Sequence, residues 1–111
     1  MDIESTELGP GVVVVRCAGR LNMVAAPALK TCLDLTLEGG GRNVVLDLEG
    51  VPFIDSSGLG VLIGGLKKAR QVGGDLRIVA VSEQVSTVLG LTNLDRVLRP
   101  YDSVEAATRG W

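Results

Sequence analysis

Residues 53 to 70 read "FIDSSGLGVLIGGLKKAR", placing a carboxylate and two adjacent hydroxyls, Asp55, Ser56 and Ser57, immediately before a glycine-laden helical run. A serine on such a turn suggests a nucleophile. The usual base for one is absent, because the chain contains no histidine. The G-x-S-x-G pattern of a nucleophile elbow is also missing around Ser56 and Ser57. Lys67 and Lys68, the remaining candidate bases, fall nearly three turns further along the same helix, beyond reach of either hydroxyl. The residues argue against hydrolysis.

Metal and phosphate chemistry are no better supplied. Asp47, Glu49 and Asp55 offer oxygen ligands, but no second carboxylate cluster joins them. Cys17 and Cys32 are scattered in apolar contexts without the paired spacing of a zinc site, and read as free thiols in the core. Gly58 and Gly60 at a helix start would expose N–H groups to an anion. Yet "DSSGLG" has neither the lysine nor the spacing of a Walker A loop, and Asp55 repels phosphate. The sequence predicts no cofactor and no metal.

A plainer reading is capping. Asp and Ser are favoured N-cap residues because a side-chain oxygen accepts from an orphan N–H, so Asp55 or Ser56 starts the helix. Ser57 is a further candidate for the cap or for a contact residue. Capping leaves the glycines unexplained. Gly58, Gly60, Gly64 and Gly65 share this helix, and each costs about 1 kcal/mol against alanine in a helix interior. Several lie off the Leu59–Leu62–Leu66 face, where they flatten an outward surface that a partner's backbone can approach closely. Turn and helix together read as a docking surface with hydroxyls on its rim.

The elements that position this turn alternate in type. Ile3–Leu8 and the β-branched run Val12–Ala18 read as strands joined across Gly9-Pro10-Gly11. Asn22 to Pro27 leads into a helix with Pro27 in its first turn and an apolar face of Leu29, Leu33 and Leu37, joined by Ala28 and Cys32. Gly39-Gly40-Gly41 ends it. Val44–Leu48 is a buried strand; the glycine-rich helix follows, facing inward with Leu59, Leu62, Ile63, Leu66 and Ala69 until Gly73-Gly74. Leu76–Val81 gives another strand, and Ser82 caps a helix carrying Val85, Val88 and Leu89. Val97-Leu98 is expected to form a last short strand. Asp102 and Glu105 have the spacing of a capping box for a closing helix. The pattern predicts one α/β domain over residues 1–111, with a largely parallel sheet and crossover helices.

Composition narrows the partners. At 111 residues and 46% hydrophobic, the chain suits one core, which must be aliphatic because Phe53, Tyr101 and Trp111 are its only aromatics. A net charge of −2 and scarce aromatics argue against nucleic-acid binding. Lys67, Lys68 and Arg70, the only clustered cations, are expected to be a solvated helix end. The longest uncharged apolar run, Gly58–Leu66, is about half the roughly 20 residues of a membrane span, so no membrane insertion is expected. The acidic opening "MDIESTELGPGVVVV" lacks the basic and apolar regions of a signal peptide. A cytoplasmic protein is expected.

"VVLDLEGVPFIDSSGLGVLIGGLKKAR" resembles the signature of the anti-sigma factor antagonists, the STAS-domain proteins. The order of "VVVVRCAGRLN" before it and "GGDLRIVAVSEQVSTVLGLTNL" after it is similar as well, so the resemblance spans nearly the whole chain. It implies a regulatory binding module and not an enzyme. The serine after the aspartate, Ser56, would be phosphorylated by a partner that is both anti-sigma factor and serine kinase. The unmodified form would bind that partner and free a sigma factor, and a PP2C-type phosphatase would reset the switch. The partner surface would comprise Asn22, Asp55, Ser57, Gly58, Gly60 and Gly64. Where the family often carries Gly-x-Leu/Ile-Asp, this chain has Gly19-Arg20-Leu21-Asn22. STAS domains also serve as accessory parts of transporters and sensory complexes, some binding nucleotides, which is the alternative the resemblance leaves.

Overall fold

The computed structural model describes residues 1–111, and its first act is a hairpin. Strands β1 (Asp2–Gly9) and β2 (Val12–Ala18) pair antiparallel, turned at Pro10-Gly11, where Gly11 takes φ 74°. That left-handed conformation is open to glycine at no steric cost. Helix α1 (Ala26–Glu38) carries the chain to β3 (Asn43–Gly50), helix α2 (Ser56–Gln71) to β4 (Asp75–Val79), and helix α3 (Glu83–Leu91) towards β5 (Pro100–Tyr101). β2, β3, β4 and β5 pair parallel in that order, and β1 closes the far edge, giving a mixed five-stranded sheet in the order β1-β2-β3-β4-β5. The short helix α4 (Val104–Ala107) ends the chain.

The valine-rich strands are apolar on both faces because both faces are covered. On one, Val15, Leu46 and Ile78 meet Leu29 and Leu33 of α1, Leu62 and Leu66 of α2, and Val85 and Leu89 of α3. On the other, Val14, Val45 and Val79 are sealed by Ala107 of α4 and flanked by Tyr101 and Trp111. Arg77 fixes that smaller layer: its guanidinium lies 4.2 Å from the Trp111 ring centroid and donates to the Ala107 carbonyl at 2.7 Å. Each fully buried leucine or valine contributes about 1.5–3 kcal/mol.

Four expectations change. The apolar face of α1 is narrower than its spacing suggests, since Ala28 is exposed and Cys32 half-buried. Val97-Leu98 is not a strand: a 3₁₀ turn at Leu94–Arg96 holds it, with the Leu98 N–H donating to the Leu94 carbonyl at 2.8 Å. The strand begins instead at Pro100, on an edge that needs no proline N–H. The closing helix is capped by Ser103, which accepts from the Ala106 N–H at 3.1 Å, and not by Asp102. Finally, the end of α2 is not merely solvated. Lys68 reaches across to α1, 3.1 Å from Asp34 and 3.3 Å from Glu38, and Arg70 pairs with Asp75 at 3.4 Å.

The glycines of α2 divide sharply. A Cβ built on Gly58 would lie 2.7 Å from the Leu21 carbonyl oxygen, Leu21 Cγ and Ile54 Cγ1, so the helix start could not seat against that loop. A Cβ on Gly60 or Gly64 would meet nothing within 4 Å. We expect Gly58→Ala to lower unfolding free energy by about 2 kcal/mol through overpacking. Gly60→Ala and Gly64→Ala should each raise it by about 0.5–1 kcal/mol through helix propensity. Urea titrations of the three variants check this; equal effects at all three positions would refute the division.

Candidate functional site

The turn before α2 is aligned on one side by a short strip of backbone pairing. Beyond the end of β2, Leu21 forms an isolated parallel bridge with Ile54. The Leu21 N–H donates to the Phe53 carbonyl at 2.9 Å, and the Asp55 N–H donates to the Leu21 carbonyl at 3.2 Å. Leu21 and Ile54 are both fully buried, so hydrophobic burial pins the crossing that the backbone bonds align. The loop entering α1 and the loop entering α2 are thereby joined at one point.

Side chains extend the joint. Asp55 is the N-cap of α2: Oδ1 accepts from the Gly58 N–H at 3.1 Å, while Oδ2 accepts from the Met23 N–H at 3.1 Å. One carboxylate thus serves both loops, and the cap is Asp55 and neither serine. Asn22 does the corresponding work for α1. Its Oδ1 accepts from the Val24 and Ala25 N–H groups, each at 3.1 Å, because Ala25 itself has no side chain with which to cap that helix.

This leaves the serines distinct. Ser56 is the first residue of α2 and exposed, whereas Ser57 is half-buried. The N–H groups of both are first-turn orphans that donate to no other backbone group. Ser57 borders a groove of about 340 Å³ between α1 and α2, walled by Lys30, Asp34 and Lys68 and paved by Gly60, Gly64 and Gly65. Hydrogen bonds from Lys30 and then Lys68 hold the Asp34 carboxyl below its ordinary pKa, and the bond to Asp34 raises Lys68 above its own. The pairing therefore favours folding above the ordinary carboxylate range and loses that effect as pH falls through the depressed Asp34 value.

The other candidate groups are occupied elsewhere. Asp47 accepts from the Glu49 N–H and faces Arg16 at 3.6 Å, away from Asp55. No three carboxylate or thiol groups converge. Burial pushes the Cys17 thiol up to about 12, which makes it inert at neutral pH.

The chain is similar to known proteins along nearly its whole length. The STAS domain family matches residues 5–107. A Thermotoga maritima protein provisionally named an anti-sigma factor antagonist is 37% identical over 97 residues, 86% of each chain. An anti-sigma F factor antagonist of Paenibacillus polymyxa is 31% identical over 94 residues, 84% of this chain and 80% of its own. The crystal structure of a Thermotoga maritima protein, likewise provisionally named an anti-sigma factor antagonist, superposes with a TM-score of 0.88 at 32% identity, covering 96% of this chain and 92% of that one. The chain belongs to the STAS domain family.

Within this STAS domain, Asn22, Asp55, Ser56 and Ser57 are brought together by the bridge, and Gly60 and Gly64 continue their surface along α2. Gly58 is not part of that surface; it is buried under Leu21 and Ile54. Two features escape a reading of the sequence. Met23 and Val24, 72% and 84% exposed, form an apolar prominence beside Asp55; two large apolar residues just ahead of a helix, outside its periodic face, are the signal that marks them. Gln84 grips the Ile54 backbone from α3, and a glutamine on a first helical turn carries no such signal. No helix of this STAS domain is long and apolar enough to cross a membrane.

Because the Asp55 carboxylate caps α2 and also holds Met23, Asp55→Ala should lose both bonds and about 2 kcal/mol of stability. Asp55→Asn, which keeps one acceptor oxygen, should lose about 1 kcal/mol. Chemical denaturation checks the order, which would be wrong if the two variants matched.

Proposed function

We propose that the chain is an anti-sigma factor antagonist whose switch is phosphorylation of Ser56. The observation that carries this is the placement of Ser56: an exposed hydroxyl on the first turn of α2, on a loop pinned by Asp55 and the Leu21–Ile54 bridge, with no histidine anywhere to make it a nucleophile. Such a serine is presented to another protein's active site and does no chemistry itself. The names of the relatives support the anti-sigma factor antagonist part of this reading.

In this reading the unmodified domain docks on an anti-sigma factor that is also a serine kinase, through Asn22, Asp55, Ser57, Gly60 and Gly64, with Met23 and Val24 as apolar anchors. Docking frees a sigma factor in the cytoplasm. Phosphorylation adds about −1.5 to −2 charges and three acceptor oxygens. The free N–H groups of Ser56 and Ser57 and the α2 dipole can hold that dianion without altering the fold. The same charge in the docking surface must be desolvated and would be repelled by any acidic residue or nucleotide phosphate of the partner, so the complex dissociates. A PP2C-type phosphatase restores the binding form. The domain is a substrate and a switch, not a catalyst.

Intact-mass measurement after incubation with ATP and the cell's anti-sigma factor kinase should give one added phosphate, lost in Ser56→Ala and kept in Ser57→Ala. Ser56→Asp should bind the unphosphorylated domain's partner about tenfold or more weakly, about 1.4 kcal/mol. Wild-type affinity in Ser56→Asp would sink the electrostatic block, and phosphate retained in Ser56→Ala would sink the acceptor.

A further inference from the structure

In a parallel bridge one residue bonds through its own N–H and C=O to the two neighbours of the other, whose own N–H and C=O point the opposite way. Here Phe53 and Asp55 bond Leu21, so the N–H and C=O of Ile54 turn towards α3. β4, the next strand on that side, has already ended at Val79. Both groups are taken instead by one side chain. The Ile54 N–H donates to Gln84 Oε1 at 2.9 Å, and Gln84 Nε2 donates to the Ile54 carbonyl at 3.1 Å. The carboxamide does the work of a missing strand, because it offers an acceptor oxygen and an N–H donor side by side without needing a change of protonation.

Ile54 directly precedes the cap Asp55, and Ser56 follows it. Gln84 sits on the first turn of α3, itself fixed by Ser82, which accepts from the Val85 N–H at 3.3 Å. Ile54 is thus clasped by the Leu21 loop on one side and α3 on the other, and losing either clasp frees the segment carrying the acceptor hydroxyl. We infer that Gln84 is a positioning residue for Ser56: its two-point grip on the Ile54 backbone fixes where the hydroxyl lies when a kinase docks. This rests on the reading of Ser56 as the phosphoacceptor.

Two variants separate the grip from mere bulk. Gln84→Ala removes both bonds. Gln84→Glu has nearly the same shape and still accepts from the Ile54 N–H, but sets an oxygen against the Ile54 carbonyl. In amide exchange followed by NMR, both variants should speed exchange at Ile54 and Gly58 about tenfold or more, with Val45 and Leu46 of β3 unchanged. In phosphorylation by the anti-sigma factor kinase with ATP, kcat should fall about tenfold or more while KM stays within about twofold, since docking persists and only the hydroxyl is misplaced. Unchanged exchange at Ile54, unchanged kcat, or a loss confined to KM overturns the assignment. Faster exchange throughout the sheet also overturns it, as that is general destabilisation. A wild-type chain that takes no phosphate overturns the Ser56 reading and the assignment together, whereas a phosphorylated wild type with fully active Gln84 variants overturns the assignment alone.

Discussion

The bridge between Leu21 and Ile54 is the constraint on which the site depends. It lies beyond the ends of β2 and β3, where regular pairing has stopped, yet it fixes the paths of the two loops that carry Asn22, Asp55 and Ser56. The two backbone bonds to Phe53 and Asp55 would count for little in water; they hold because Leu21 and Ile54 are withdrawn from it. Gly58 belongs to the same constraint. Its missing side chain is the space into which Leu21 and Ile54 fit, so the helix can begin against the crossing instead of beside it.

Once the crossing is set, the division of labour between neighbouring residues follows. Asp55, half-buried, gives both carboxylate oxygens to N–H donors and holds the two loops together. Ser56, one residue on, is left at the surface, and Ser57 one further borders the groove. The glycines separate along the same line: Gly58 and Gly65 are buried and serve packing, while Gly60 and Gly64 are exposed and sacrifice helix propensity without a steric reason inside the domain. A cost with no internal return is what an external contact would account for.

Much of this was legible in the sequence because it is periodic or local. The β-branched run Val12–Ala18, the leucines spaced along α1 and α2, and the Ser82 cap each declare themselves within a few residues, and the order of elements follows. The rest turns on backbone conformation or on groups distant in sequence. Asp102 has the box spacing of a last cap, but the backbone puts Ser103 in the extended conformation a cap requires. Val97-Leu98 is a short apolar pair that a strand would also present, but the Leu98 N–H closes a turn. Lys68 looked solvated because its partners, Asp34 and Glu38, lie a helix away. The site split the same way. Its serine and aspartate stood out, whereas Gln84 acts across 30 residues of chain and could emerge only from coordinates.

Asn22 is where local geometry and charge part company. The turn into α1 uses only its Oδ1, as acceptor for Val24 and Ala25. An aspartate would accept both bonds equally well, so the turn itself does not call for the amide. The two residues differ in charge. With Asp55 joined through Met23 to the loop that begins at Asn22, an aspartate at residue 22 would set a second negative group on the same joint. Asparagine keeps the hydrogen bonds and leaves Asp55 as the one carboxylate on that joint, so a dianion placed on Ser56 would be opposed by one carboxylate instead of two.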